Sequence, residues 1–217
     1  MFSIKKSFVK CEICSLYEKP SCILETNCVD NLSDVEVVFV AENPGKCETE
    51  AKVPLIGQAG KIFRKPFNRY FKPFRYLITN TVLCLTLKPN GNTGNPDWEV
   101  TSFCRDNCFN IIELCKPELI FIMGSTAMRA FDIGRFGITK KDKRGNFFRW
   151  RNYDLFLTVH PSHMNYGGSY KEFKEDFLKA RNFLVSKLIN KRKITKEISY
   201  KDLLRSTFII NKIGGIF

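Results

Sequence analysis

Four runs of apolar, largely β-branched residues punctuate the chain at 35–41, 76–85, 119–124 and 154–160. Each is short, continuous and flanked by turn-forming residues, the pattern of a strand buried on both faces. Between them the apolar spacing changes to that of helices. Trp98 to Cys115 carries Val100, Phe103, Phe109, Ile111, Ile112 and Leu114, and Pro117 closes it. Residues 126–131 suit a short helix. Residues 170–188 suit a longer one, with Phe173, Phe177, Leu178, Phe183 and Leu184 inward. Residues 60–71 are also helix-like, with Pro66 expected to start or kink the helix because proline lacks the N–H a helix interior needs. The Gly- and Pro-bearing stretch 88–97 reads as a loop. Alternating strands and helices predict an α/β fold: three layers, α/β/α, around a central, mainly parallel four-stranded sheet.

In such sheets the ligand site gathers outside the carboxyl ends of the strands. That rule selects four segments: Glu42-Asn43-Pro44-Gly45, Thr79-Asn80-Thr81, Gly124-Ser125-Thr126 and His160-Pro161-Ser162-His163. Both histidines of the chain lie in the last one. A neutral imidazole at a strand end can donate a hydrogen bond to a developing oxyanion. After the first segment, Glu48 and the run Val53-Pro54-Leu55-Ile56-Gly57-Gln58-Ala59-Gly60 place a proline-bearing, small-residue loop directly before a helix.

The length of 217 residues fits one α/β domain, 1–189, followed by a basic extension, 190–217. Charge narrows the partner: 35 Lys and Arg against 22 Asp and Glu give +13, which favours a polyanion such as DNA. No run is long and apolar enough to span a membrane, and the first residues lack a secretory core. A cytoplasmic protein is expected, or a nuclear one in a eukaryote, acting as a monomer. Nine cysteines are an odd total in a reducing compartment, so ligation by a subset is favoured over a disulfide framework.

The ordered set Cys-x-x-Cys at 11–14, Ala41-Glu42-Asn43-Pro44-Gly45 with Glu48, Pro54 to Gly60, Thr79 to Cys84, Cys104, Arg144-Gly145 and His160-Pro161-Ser162 resembles family-4 uracil-DNA glycosylases over residues 8–188. The resemblance implies Cys11, Cys14, Cys84 and Cys104 as ligands of a [4Fe–4S] cluster, with Cys108 the rival for the fourth position. Zinc could occupy the same four thiolates, since spacing alone does not separate the two. It further implies excision of a flipped-out uracil from DNA by a monofunctional hydrolase that leaves an abasic site. His160 would donate to the departing base, and Asn80 would read its Watson–Crick edge. Glu48, Leu55, Ser162, Met164 and Tyr166 would complete substrate binding, the last two as candidate wedges in the duplex.

Two residues depart from the family pattern. Asn43 makes the first motif Asn-Pro-Gly, similar to mismatch-specific thymine/uracil glycosylases, which assigns Asn43 to the attacking water and Glu42 to fixing the loop or assisting. Leu55 stands where the family has a base-stacking phenylalanine. These departures keep open a glycosylase for a modified pyrimidine, for example in defence against viruses. A catalytically inactive DNA-binding relative is a further alternative, against which Glu42, Asn80 and His160 together speak.

Overall fold

The computed structural model describes residues 11–133 and 144–195. Its elements in chain order are β1 (Leu24–Thr26), β2 (Val37–Ala41), α1 (Lys46–Ala51), α2 (Gln58–Tyr70), β3 (Tyr76–Asn80), α3 (Trp98–Cys115), β4 (Leu119–Met123), α4 (Ser125–Ala130), β5 (Asn146–Trp150), β6 (Tyr153–Thr158) and α5 (Tyr170–Thr195). The strands form one sheet in the order β1-β3-β2-β4-β6-β5. β3, β2, β4 and β6 run parallel, while β1 and β5 pair antiparallel at the two edges.

The sheet therefore has six strands rather than four. The four expected runs are its parallel interior, and the two edge strands escaped the hydrophobic pattern for physical reasons. β1 is only three residues long and half-buried throughout, and β5 is partly exposed along its length, so neither presents a continuous apolar run. The run 76–85 also divides. The sheet strand ends at Asn80, because the next amides turn to the neighbouring strand end: Thr81 N–H donates to Ala41 O (2.9 Å) and Val82 N–H to Glu42 O (3.0 Å).

Period-two alternation along the strands feeds two cores. Val38 and Val40 of β2 face Ile111, Ile112 and Ala127 of α3 and α4. Val37 and Phe39 face Phe63 and Phe67 of α2 and Phe173 and Phe177 of α5. The second core is aromatic: Phe39 meets Phe63, Phe67 and Phe71 edge-to-face at centroid separations of 5.5, 5.4 and 5.0 Å. Pro66 lies inside α2, buried, and the helix continues through it to Tyr70. The packed aromatic face outweighs the backbone bond that proline forgoes. Leu178, expected inward, is exposed on the outer face of its helix, as is Leu114 on α3.

α5 runs on to Thr195, across the expected boundary at 189/190, and the extension beyond it lies outside the described residues. No helix among the described residues is long and apolar enough to cross a membrane.

Candidate active site and cysteine cavity

The carboxyl edge of the parallel strands presents, in sheet order, Asn80, Ala41-Glu42-Asn43, Gly124 and the His160 segment. Asn80 ends β3 and is 2% exposed, and its Nδ2 has no hydrogen-bond partner among the described residues. A buried amide donor left unpaired costs about 1–3 kcal/mol, so a bound water or a ligand group is needed to complete it. Asn80 shares its face of β3 with Ile78, which packs in the same core as Leu55.

The loop bearing Leu55 is held from two sides. Glu48 Oε1 accepts from the backbone N–H of Ile56 (3.1 Å) and Gly57 (2.7 Å). Arg64 donates from Nε to Leu55 O (3.1 Å) and from its fork to Pro54 O (2.7 Å), while also pairing with Glu25. Leu55 adopts φ 54°, a left-handed conformation unfavourable for a branched side chain, and a Cβ at Gly60 would stand 2.1 Å from the Leu55 carbonyl carbon. Such a strained, doubly tethered turn fixes the position of the Leu55 side chain. Glu48, expected among the substrate contacts, thus spends one carboxylate oxygen on this loop.

Glu42 bonds the Thr126 hydroxyl at the start of α4, and burial pushes its carboxyl above the ordinary range. Asn43 donates through Nδ2 to Gly94 O (3.1 Å), which ties the first motif to the 88–97 loop. Among the described residues, Nδ2 is the bonded end of that carboxamide.

His160 caps the 3-10 turn Pro161–Tyr166. Its Nδ1 accepts from the Ser162 backbone N–H (3.3 Å) and lies 2.8 Å from Ser162 Oγ. An Nδ1 that accepts puts the ring proton on Nε2. Burial lowers the imidazole pKa from 6.5 to about 4, with the Glu48 carboxylate opposing the shift, so the ring is neutral at physiological pH. Gly124 at φ 89° permits this approach, since a Cβ there would sit 2.8 Å from His160 Cβ. Ser162, expected at the substrate, thus acts on the imidazole. Met164 is half-buried against the α2/α5 core, whereas Tyr166 is 82% exposed. His163 is exposed on the same turn.

A second feature lies next to the first motif. Cys11, Cys14, Cys84 and Cys104 line one cavity with Leu16, Tyr17, Val82, Val100, Phe103 and Asn107. Cys108, the rival for the fourth position, is fully buried in the α3 core and does not line it. Cys104 Sγ accepts from Leu83 N–H (3.4 Å), and burial, with Cys84, Cys11 and Cys14 around it, pushes its thiol up to about 12. Thiols gathered in this way, Cys84 buried and the others half-buried, ionise together only when a cation compensates them. Among the described residues no three such groups close on a single ion-sized point, although the four thiols line the same cavity.

With this geometry in view, the comparisons are specific. The family model of the uracil DNA glycosylase superfamily matches residues 29–184. The chain belongs to the uracil DNA glycosylase superfamily. It is 30% identical over 183 residues to the type-4 uracil-DNA glycosylase of Thermotoga maritima, covering 81% of this chain and 90% of that one. The type-4 enzyme of Archaeoglobus fulgidus is 26% identical over 186 residues, covering 81% and 89%. That of Pyrobaculum aerophilum is 29% identical over 133 residues, covering 58% and 66%.

Several contributors to this superfamily member's site were not singled out by sequence reasoning. Thr126 stands in a strand-end segment that the topology rule selected, yet nothing in its neighbours announced a bond to Glu42. Arg64 and Gly94 act on the site through backbone carbonyls, and such roles leave no residue-type signature. α1 was also missed, because the Asn-Pro-Gly turn masked the six-residue helix that begins directly after it.

Proposed function

We propose that the chain hydrolyses the N-glycosidic bond of a uracil flipped out of DNA, releasing the base and leaving an abasic site. The observation that carries this reading is the buried, unpartnered Asn80 amide on the same strand-end edge as a neutral His160. Asn80 and His160 lie three strand spacings apart, about 14 Å, which two inward-reaching side chains reduce to about the width of a pyrimidine. A carboxamide offers one donor and one acceptor, and uracil O4 and N3–H are their complement. As the bond breaks, negative charge collects on the base, and a neutral imidazole with its proton on Nε2 donates to the O2 carbonyl. Asn43, its Nδ2 held by Gly94, offers Oδ1 to the attacking water, and Glu42 fixes that loop through Thr126. Glu48 shapes the Leu55 loop, Ser162 sets the His160 tautomer, and Tyr166, with Met164 beneath it, enters the duplex as the base leaves.

Cys11, Cys14, Cys84 and Cys104 set four thiols in one cavity with a largely apolar shell, the donor set of a [4Fe–4S] cluster. Held by these four thiols, the cluster would supply a cross-link between the N-terminal segment, the chain after β3 and α3. The loop between Cys84 and Cys104 carries Gly94, whose carbonyl accepts from Asn43, so that cross-link would also steady the first motif.

Leu55 supports one second reading, a pocket for a bulkier pyrimidine, because it replaces a flat stacking ring with a branched side chain. The test is a cleavage assay on duplexes that each hold one candidate base, with alkali treatment of the product. Cleavage at uracil well above thymine and modified pyrimidines supports uracil excision. Cleavage at a modified pyrimidine with uracil untouched would overturn it.

A further inference from the structure

Beyond Gly94 the chain leaves the rim of the site and enters α3 at Trp98, whose indole is 40% exposed. α3 returns antiparallel to the strands, as a right-handed crossover requires, so Trp98 stands on the same edge of the sheet as the site. α4 starts from that edge too, and its Thr126 holds Glu42 while Arg129 follows one turn later. The Arg129 guanidinium carbon lies 5.0 Å from the Trp98 ring centroid, and that of Arg105 lies 5.6 Å away. The two arginines differ in their other bonds. Arg105 is tied to Asp132 at 3.5 Å, whereas exposed Arg129 makes no ion pair among the described residues.

We propose that Arg129, laid on the exposed indole of Trp98, binds a phosphate of the DNA strand flanking the excised nucleotide, with Trp98 as its platform. The proposal rests on the uracil-DNA reading above. A guanidinium stacked on an aromatic face is already oriented, so less side-chain freedom is lost when its fork closes on a phosphate. With no carboxylate paired to Arg129 among the described residues, the phosphate contact breaks none of the ion pairs described. DNA suits this surface because the platform is continuous with the rim of a site for a DNA base, on a chain of net charge +13.

The test measures binding of a uracil-containing duplex against salt for the parent, Arg129→Ala, Arg129→Lys and Trp98→Leu, each checked by thermal melting. Losing one phosphate contact should reduce the slope of log K against log salt by about 1. At 0.1 M salt that corresponds to about eightfold weaker binding for Arg129→Ala. Arg129→Lys should keep the slope, and Trp98→Leu should weaken binding by a smaller factor. A parental slope and affinity in Arg129→Ala would overturn the contact, and parental affinity in Trp98→Leu would overturn the platform. If the parent bound DNA but cleaved no uracil, a reduced slope in Arg129→Ala would still support the contact while the proposed reaction fell.

Discussion

Acidification tests the state of His160 directly. At pH 5 an imidazole with the ordinary value of 6.5 is about 3% neutral, whereas one at about 4 is about 90% neutral. If the neutral ring donates to the departing base, its share of the single-turnover rate should fall by less than twofold between pH 7.5 and pH 5. An ordinary histidine would lose about thirtyfold over that range. The same burial has a stability consequence. The unfolded chain takes up a proton that the folded chain refuses, so this contribution is fully present above pH 6.5. It declines as the pH falls and is gone below about pH 4. Between pH 7.5 and 5 it amounts to about 2 kcal/mol, out of about 3 kcal/mol for the whole interval. Urea unfolding of the parent and His160→Gln at both pH values isolates it, because the carboxylates and other titrating groups are common to the two proteins. Glu42 also has a raised carboxyl, so the rate series is repeated in Glu42→Gln to remove its titration. A thirtyfold rate loss in that background, or an imidazole resonance absent from His160→Gln that titrates near 6.5 in the parent, would refute the reasoning.

Asn80→Asp removes the unpaired donor and adds a second acceptor, which suits the N4 amino group of cytosine and repels uracil O4. Competition between uracil- and cytosine-containing duplexes should show uracil cleavage falling at least tenfold and cytosine cleavage rising. Iron analysis of cysteine variants should find that Cys104→Ala loses its metal while Cys108→Ala, outside the cavity, retains the parental content. Gly60→Ala should cost about 1–3 kcal/mol in urea unfolding, because its new methyl meets the Leu55 carbonyl and the turn must move.

The parallel interior was legible in the sequence because four doubly buried strands write continuous apolar runs. β1 and β5 were not, since an edge strand with one open side has no such run. Of the candidate site, the strand-end positions were legible: Glu42, Asn80 and His160 fall where the topology rule points. It was less legible where function works through the backbone. Nothing in the residue types shows that Glu48 bonds the amides of Ile56 and Gly57, that Gly94 offers its carbonyl to Asn43, or that Leu55 sits at φ 54°. The roles of Glu48 and Ser162 emerged only when their partners were in view. The resemblance favoured Cys104 and left Cys108, one turn later, as the rival; the packing of α3 turns Cys104 to the cavity and Cys108 into the core.

The central claim is that this strand-end site excises uracil. Its most direct test incubates the iron-loaded protein, in excess, with a duplex bearing one deoxyuridine and identifies the released base by mass spectrometry. The account predicts one equivalent of free uracil and an alkali-labile strand, with both reduced a hundredfold or more in His160→Ala, as expected for loss of an oxyanion donor. Absence of free uracil from the parent, or parental release from His160→Ala, would contradict it.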